Sequence, residues 1–365
     1  MIKSHAQSLP NEAPKSPSQT SVSVHEQSKP LSRHCQHCDA VGDLLHCVGC
    51  RAVRYCSKEH KRADWASHKK YCKPVRKARK KMAREEKKLR GTSGHMLGPA
   101  NVFEEHVGNF WDIDSTRPYM LARSDLTFAI MEIKSYDAVL LALGHIEDML
   151  RLCRSDNLGM RGWAPGLMLR LAKDQECYDF MKWWVTTGTR YDYDWGIPSL
   201  PFLDVKNANM LEPIDEFDEL FPSLTWLVSL TLLKIKMLFA VKAAAYGIKI
   251  LHENTKLPLE LIYQVQSLVL HDSTRGHANS KARIEDVEKT LVSQLSTLYK
   301  AVAKANKYFW EALLEPDNLW DEKPEYQSAG SIEETMITLK ESYAAWEETP
   351  GALAFVESIR NGTPW

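Results

Sequence analysis

Residues 35–72 read CQHCDAVGDLLHCVGCRAVRYCSKEHKRADWASHKKYC, and six of the chain's eight cysteines fall inside this stretch. Cys35, Cys38, Cys47, Cys50, Cys56, His60, His68 and Cys72 follow the pattern C-x2-C-x8-C-x2-C-x5-C-x3-H-x7-H-x3-C. A C-x-x-C turn presents two thiolates to one metal. A spacing of four puts Cys56 with His60, and His68 with Cys72, on one helical face. Tetrahedral Zn²⁺ takes four such groups, so this set makes two closed sites. Iron–sulfur chemistry would accept the cysteines, but the histidines favour zinc. His34, His37 and His46 lie close enough in sequence to exchange with a ligand. The competing reading, buried thiols or a redox set, has to explain so many correctly typed positions by coincidence. Closed sites leave no coordination position for water, so the ions are expected to be structural. A segment this short has little core of its own. Metal binding, worth roughly 10 kcal/mol or more in comparable peptides, must supply its folding free energy.

The same stretch resembles the MYND-type zinc finger in more than its ligands, through Tyr55-Cys56-Ser57, Asp64-Trp65 and His68-Lys69. The resemblance implies a cross-brace: Cys35, Cys38, Cys56 and His60 hold one ion, and Cys47, Cys50, His68 and Cys72 hold the other. His60 stands where a Cys is commoner in the family. The resemblance also implies binding of a protein partner, in some members a proline-rich peptide. Of the two usual contact residues, Trp65 is kept and Lys61 replaces a Gln.

Formal net charge is zero, but it is unevenly spread. Between residues 31 and 90 there are 18 Lys and Arg against 6 Asp and Glu; from 91 to 365 there are 26 against 39. Such a split points to two modules with different partners, or to one attracting the other. Residues 1–30, rich in Ser, Gln, Pro and Lys, can bury too little to offset ordering entropy and read as a disordered leader. Residues 31–73 form the finger, 74–101 a basic linker ending in a Gly-rich hinge, and 102–365 an α-helical domain. The run RKARKKMAREEKKLR over 76–90 carries nine Lys and Arg and two Glu. It reads as a solvated helix extending from the last ligand, with a nuclear-import signal or nucleic-acid contact as alternatives. It lacks aromatics that would stack on bases, which disfavours nucleic acid.

Beyond residue 100 the apolar spacing is helical. Helices are expected over 120–132, from Ser135 as N-cap to Cys153, near 165–172, over 175–186 and 223–251, and near 258–271 from Pro258. Val287, Leu291, Leu295, Leu298, Val302, Ala305, Phe309 and Leu313 make one stripe over 283–314. Ser331 and Glu334 mark a capping box before 332–347, and a last helix starts at Pro350. Residues 187–221 form a long loop. Its Pro198-Ser-Leu-Pro201 either packs on its own helices or docks on the finger. The fold class is mainly α, a two-zinc finger followed by a helical domain for which a solenoid-like arrangement is one option. The body resembles the helical C-terminal region found beside this finger in fungal MYND proteins, through Asp148–Asp156, Asp174–Phe180, Leu203–Ala208 and Phe309–Leu314. Trp183, Trp184 and Trp310 read as core, and His145, His252 and His271 as surface or satisfied core residues.

No apolar run reaches the roughly 18 residues that span a bilayer, because Lys234, Lys236, Lys242 and Lys249 interrupt the longest one. The N-terminus lacks the apolar core of a secretory signal. An intracellular protein, nuclear or cytoplasmic, without a membrane partner is expected. Some MYND proteins are lysine methyltransferases, but these need a later three-Cys cluster, and only Cys153 and Cys177 follow residue 72. No phosphate loop, nucleophile elbow or metal–carboxylate motif is visible, so no catalytic residue is assigned. The expected role is a zinc-binding interaction module, a scaffold or transcriptional cofactor. An enzyme targeted by its finger and a nucleic-acid binder are the competing classes.

Overall fold

A computed structural model describes residues 31–91, 101–217, 223–253, 281–316, 324 and 326–362. The leader over 1–30, residues 92–100 of the hinge expected over 91–101, and the helix expected near 258–271 lie outside the described residues.

The finger holds one short antiparallel pair, β1 (Leu45–His46) and β2 (Arg54–Tyr55), with Leu45 opposite Tyr55 and His46 opposite Arg54. It runs directly into α1 (Lys58–Gly91), a helix of 34 residues. The helix expected over 76–90 as an extension from the last ligand is present, and residues 74–91, expected as the first part of a linker, belong to it. Pro74 lies inside it and forfeits one backbone hydrogen bond, an interior position that ordinarily costs about 3 kcal/mol. Burial offsets that cost. His68, Cys72, Val75 and Leu89 are buried and Met82 packs against the core, a seam at spacings of three, four and seven. Along this seam α1 lies against α3 (Arg117–Met131). Lys81 donates to Asp125 at 2.7 Å. The Arg90 guanidinium sits 4.1 Å from the ring centroid of Phe103, which belongs to the short α2 (Val102–Glu105).

Ser135 caps α4 (Tyr136–Leu152), its hydroxyl accepting from Ala138 N at 3.1 Å. Then follow α5 (Trp163–Arg170) and α6 (Asp174–Trp183), the latter ending in a π-helical turn over 184–188. The long loop packs on its own helices. Arg154 Nη1 donates to Leu200 O at 2.9 Å, and Tyr193 Oη donates to Pro201 O at 2.9 Å. Trp183 and Trp184 are buried beneath its aromatics, as is Trp310 elsewhere.

The core gathers around α7 (Leu224–Glu253). Leu227, Val228, Leu230, Leu232, Leu233 and Ile235 are all fully buried, too many neighbours for a one-sided helix, so α7 is enclosed. Among the described residues its stretch Leu224–Gly247 is the one long and apolar enough to cross a membrane, and 78% of its apolar window is buried inside the fold. Its lysines are accommodated: Lys234 donates to Met210 O, and burial pushes its ammonium down to about 8. Lys236 donates to Leu169 O at 3.0 Å and to Asp174.

Around α7 stand α5, α6, α8 (Lys281–Ala305), α10 (Ile332–Glu347) and α11 (Ala352–Arg360). Because α5 packs on α10, far along the chain, the helices close on one another instead of stacking only on sequence neighbours as a solenoid does. The stripe expected as a single helix over 283–314 is two helices, α8 and α9 (Phe309–Leu314). Buried Asn306 breaks it. Its Oδ1 accepts from Tyr308 N at 3.0 Å and Thr335 Oγ1 at 2.9 Å, while its Nδ2 donates to Ser331 O at 2.8 Å. The capping box at α10 forms with one change: Glu334 N donates to Ser331 Oγ at 3.2 Å, but the Glu334 carboxylate accepts from Gly330 N.

Candidate metal centre

Both C-x-x-C turns are built alike. Asp39 N donates to Cys35 O at 3.0 Å and Arg51 N to Cys47 O at 2.8 Å, each closing a turn around two sulfurs. Asp39 and Arg51 take positive φ, 57° and 61°, which turns the chain away sharply after the second cysteine. Strand β2 delivers Cys56 to the start of α1, where Ser57 Oγ accepts from His60 N at 3.2 Å. One helix thus carries His60, His68 and Cys72.

All eight candidate ligands converge, in two groups of four whose ligand atoms lie within 4.8 Å of one another: Cys35, Cys38, Cys56 and His60, and Cys47, Cys50, His68 and Cys72. Zn–S bonds of about 2.3 Å and Zn–N bonds of about 2.0–2.1 Å give tetrahedral edges of about 3.8 Å for S···S and about 3.5 Å for S···N. Cys38 and Cys56 sulfurs are 3.7 Å apart and those of Cys47 and Cys72 3.8 Å. Cys50 Sγ lies 3.4 Å from His68 Nε2, and Cys35 Sγ 3.8 Å from His60 Nδ1. Cys56 Sγ to His60 Nδ1 is tighter, at 3.1 Å. These edges and this donor set fit two Zn²⁺ ions. His37 stacks obliquely on His60 at 4.8 Å, and His34 reaches towards Asp39, outside both groups.

The second site is buried throughout, while Cys38 opens the first to solvent. Four donors held this close couple their titrations strongly. The hydrogen bond from Cys50 holds Cys47 well below its ordinary value, at about 3, while the same contact and burial push Cys50 far up. A bound Zn²⁺ would stabilise every thiolate at once.

Residues outside the ligand set brace the centre. Arg79 of α1 donates to Gly49 O at 2.9 Å and Cys50 O at 2.7 Å, clamping the second turn. Arg54 grips buried Asp137, in the first turn of α4, with Nε to Oδ2 at 2.7 Å and Nη2 to Oδ1 at 3.1 Å. Ser135 donates to Ala52 O, so α4's N-terminus holds the finger by side chain and cap together. Arg79, Asp137 and Ser135 escape sequence reasoning because each acts across a long separation. Ser135 shows only as a cap.

Trp65 is 38% exposed and stands edge-on to His68, ring centroids 6.1 Å apart. Lys61 lies one helical turn before it and is half-buried. Val41, Leu45 and Val48 are exposed on the finger's loops.

Residues 35–72 match the family model of the MYND finger. Forty residues are 45% identical to Egl nine homolog 1 of Homo sapiens, covering 11% of this chain and 9% of that protein. The Mus musculus Egl nine homolog 1 is matched at the same identity over 10% of its length. The chain thus spans about a tenth of the length of these curated relatives. No solved structure matches.

Proposed function

We propose that this chain is a protein-interaction module whose contact surface is organised by two structural zinc ions. The observation that supports the reading is the pair of closed four-donor sites beside an exposed aromatic, with Trp65 propped against the ligand His68. When bound, the ions supply cross-linking and charge neutralisation. Cys47, Cys50, His68 and Cys72 then fix the first turns of α1, and with them the position of Trp65 and Lys61. An apolar or proline-rich peptide segment is the partner chemistry suited to an edge-on indole with exposed aliphatics nearby. Within this reading the protein serves as a scaffold or transcriptional cofactor, in nucleus or cytoplasm, and the helical body acts as a rigid mount without catalytic chemistry.

Affinity purification with the wild type and with Trp65→Ala tests the proposal. Partners lost selectively with Trp65, at unchanged zinc content, are expected. Methyl transfer from a labelled donor by the full chain would overturn it in favour of an enzyme carrying its finger as a targeting device.

A further inference from the structure

The side of α1 that faces away from α3 carries a feature that zinc binding does not use. Starting from Arg62, the positions Trp65, Lys69 and Lys73 follow at spacings of three, four and four. Arg76, Lys80 and Arg84 repeat the same three spacings, and Lys87 closes the row. A repeat of eleven residues over three turns keeps a row nearly parallel to the axis of a straight helix. Every one of these residues is exposed. From Arg62 to Lys87 the row runs about 37 Å at 1.5 Å per residue.

The row contains no acid. Asp64 turns inward to accept from Tyr55 Oη at 2.6 Å, and Glu86 pairs with Arg90 at 3.0 Å off the row. Glu85 pairs with Arg84 at 3.0 Å and Lys88 at 2.9 Å. Among the described residues Lys69, Lys73, Arg76, Lys80 and Lys87 have no carboxylate partner. Five unneutralised cations in a straight line, behind an exposed indole, form a ridge complementary to a straight anion.

We propose that this ridge docks an acidic helical segment of a partner protein. The inference rests on the protein-interaction reading and deepens it. An acidic helix with carboxylates three and four residues apart offers a charge about every 5.4 Å, the same repeat as the ridge, so ion pairs form in register. Exposed Lys70 and Lys77 flank the row on α1, and the body beyond the helix carries 26 Lys and Arg against 39 Asp and Glu over residues 91–365. A bilayer or a nucleic-acid duplex is a broad polyanion that would meet the acidic body as well; a single chain segment meets the ridge alone. Trp65 stands in the row itself, so one partner chain can contact the finger and the ridge continuously.

Fluorescence anisotropy of a labelled, glutamate-rich helical peptide against the full zinc-loaded chain tests the proposal. Duplex DNA and phosphatidylserine-containing vesicles serve as competing probes. The peptide is expected to bind, to weaken as salt is added, and to lose at least about tenfold in affinity at low salt when Lys80→Glu, Arg84→Glu and Lys87→Glu are combined. These three positions lie beyond the last metal ligand, so the variant should keep its zinc and helicity. Tighter binding of DNA or vesicles than of the peptide, equal peptide binding by the variant, or none by the wild type would overturn it. Trp65-dependent partner capture is read separately. Its survival alongside a failed peptide assay sinks the ridge alone; its loss sinks the reading beneath.

Discussion

At Gly49 an added Cβ would sit 2.7 Å from Cys72 Sγ and 2.9 Å from Arg76 Cδ, inside the second metal site. Gly49→Ala must push a ligand sulfur aside. The expected result is about one retained zinc per chain instead of two, read by release to a chromophoric chelator, because a tetrahedral site tolerates little displacement of a ligand. A second effect at this scale concerns His145, whose Nδ1 is buried without a partner. Burial first, then the charges of Arg123 and Arg79, push its pKa down to about 4 from 6.5. The unfolded chain therefore takes up this proton before the folded one as pH falls. The stability is intact above about 6.5 and is lost progressively down to about 4, by up to about 3 kcal/mol. His145→Leu should flatten that acid limb in denaturant midpoints taken at pH 7 and pH 5. Zinc release is common to both proteins, so their difference isolates the imidazole.

Among the elements, α1 does two tasks with opposite faces. One face supplies metal ligands and continues as Val75, Met82 and Leu89 against the body; the other carries the cation row. The nine Lys and Arg over 76–90 dominate any reading of composition and mask a seam of only three apolar residues seven apart. That seam is why the helix is packed against the body and not solvated all round. The second attachment is the grip of Arg54 on Asp137. Asp137→Ala should cost about 2–3 kcal/mol, below the full range for a buried pair because Arg54 keeps some contact with water. Hydrogen exchange should show faster opening of residues 35–57 with both zinc ions retained. Unchanged exchange there would mean that α1 alone holds the finger in place.

For the whole molecule the question is how far loss of metal spreads. The finger's buried residues join the body's buried cluster, but α7 itself is enclosed by α5, α6, α8, α10 and α11. Cys35→Ala or Cys47→Ala is expected to unfold residues 35–72 while most far-ultraviolet helicity persists. Limited proteolysis read by mass spectrometry checks this: early cleavage between residues 35 and 72, with fragments from 101 onward surviving. A finger as resistant in the variant as in the wild type would count against metal-dependent folding.

What the sequence determined by itself is chemical and local. Eight donors at fixed spacings identify two zinc sites, because a tetrahedron constrains residue type and short-range geometry together. Apolar periodicity likewise identifies most helices, Ser135 and Ser331 announcing two of them as caps. Only the tertiary structure decided that the helix extending past Pro74 is packed along Val75, Met82 and Leu89 instead of solvated all round, and that Asn306 divides α8 from α9. It alone seats the finger on the N-terminus of α4. Each of these turns on which side of an element is covered by residues distant in the chain, where burial and long-range hydrogen bonds outweigh the weak local preferences that sequence spacing records.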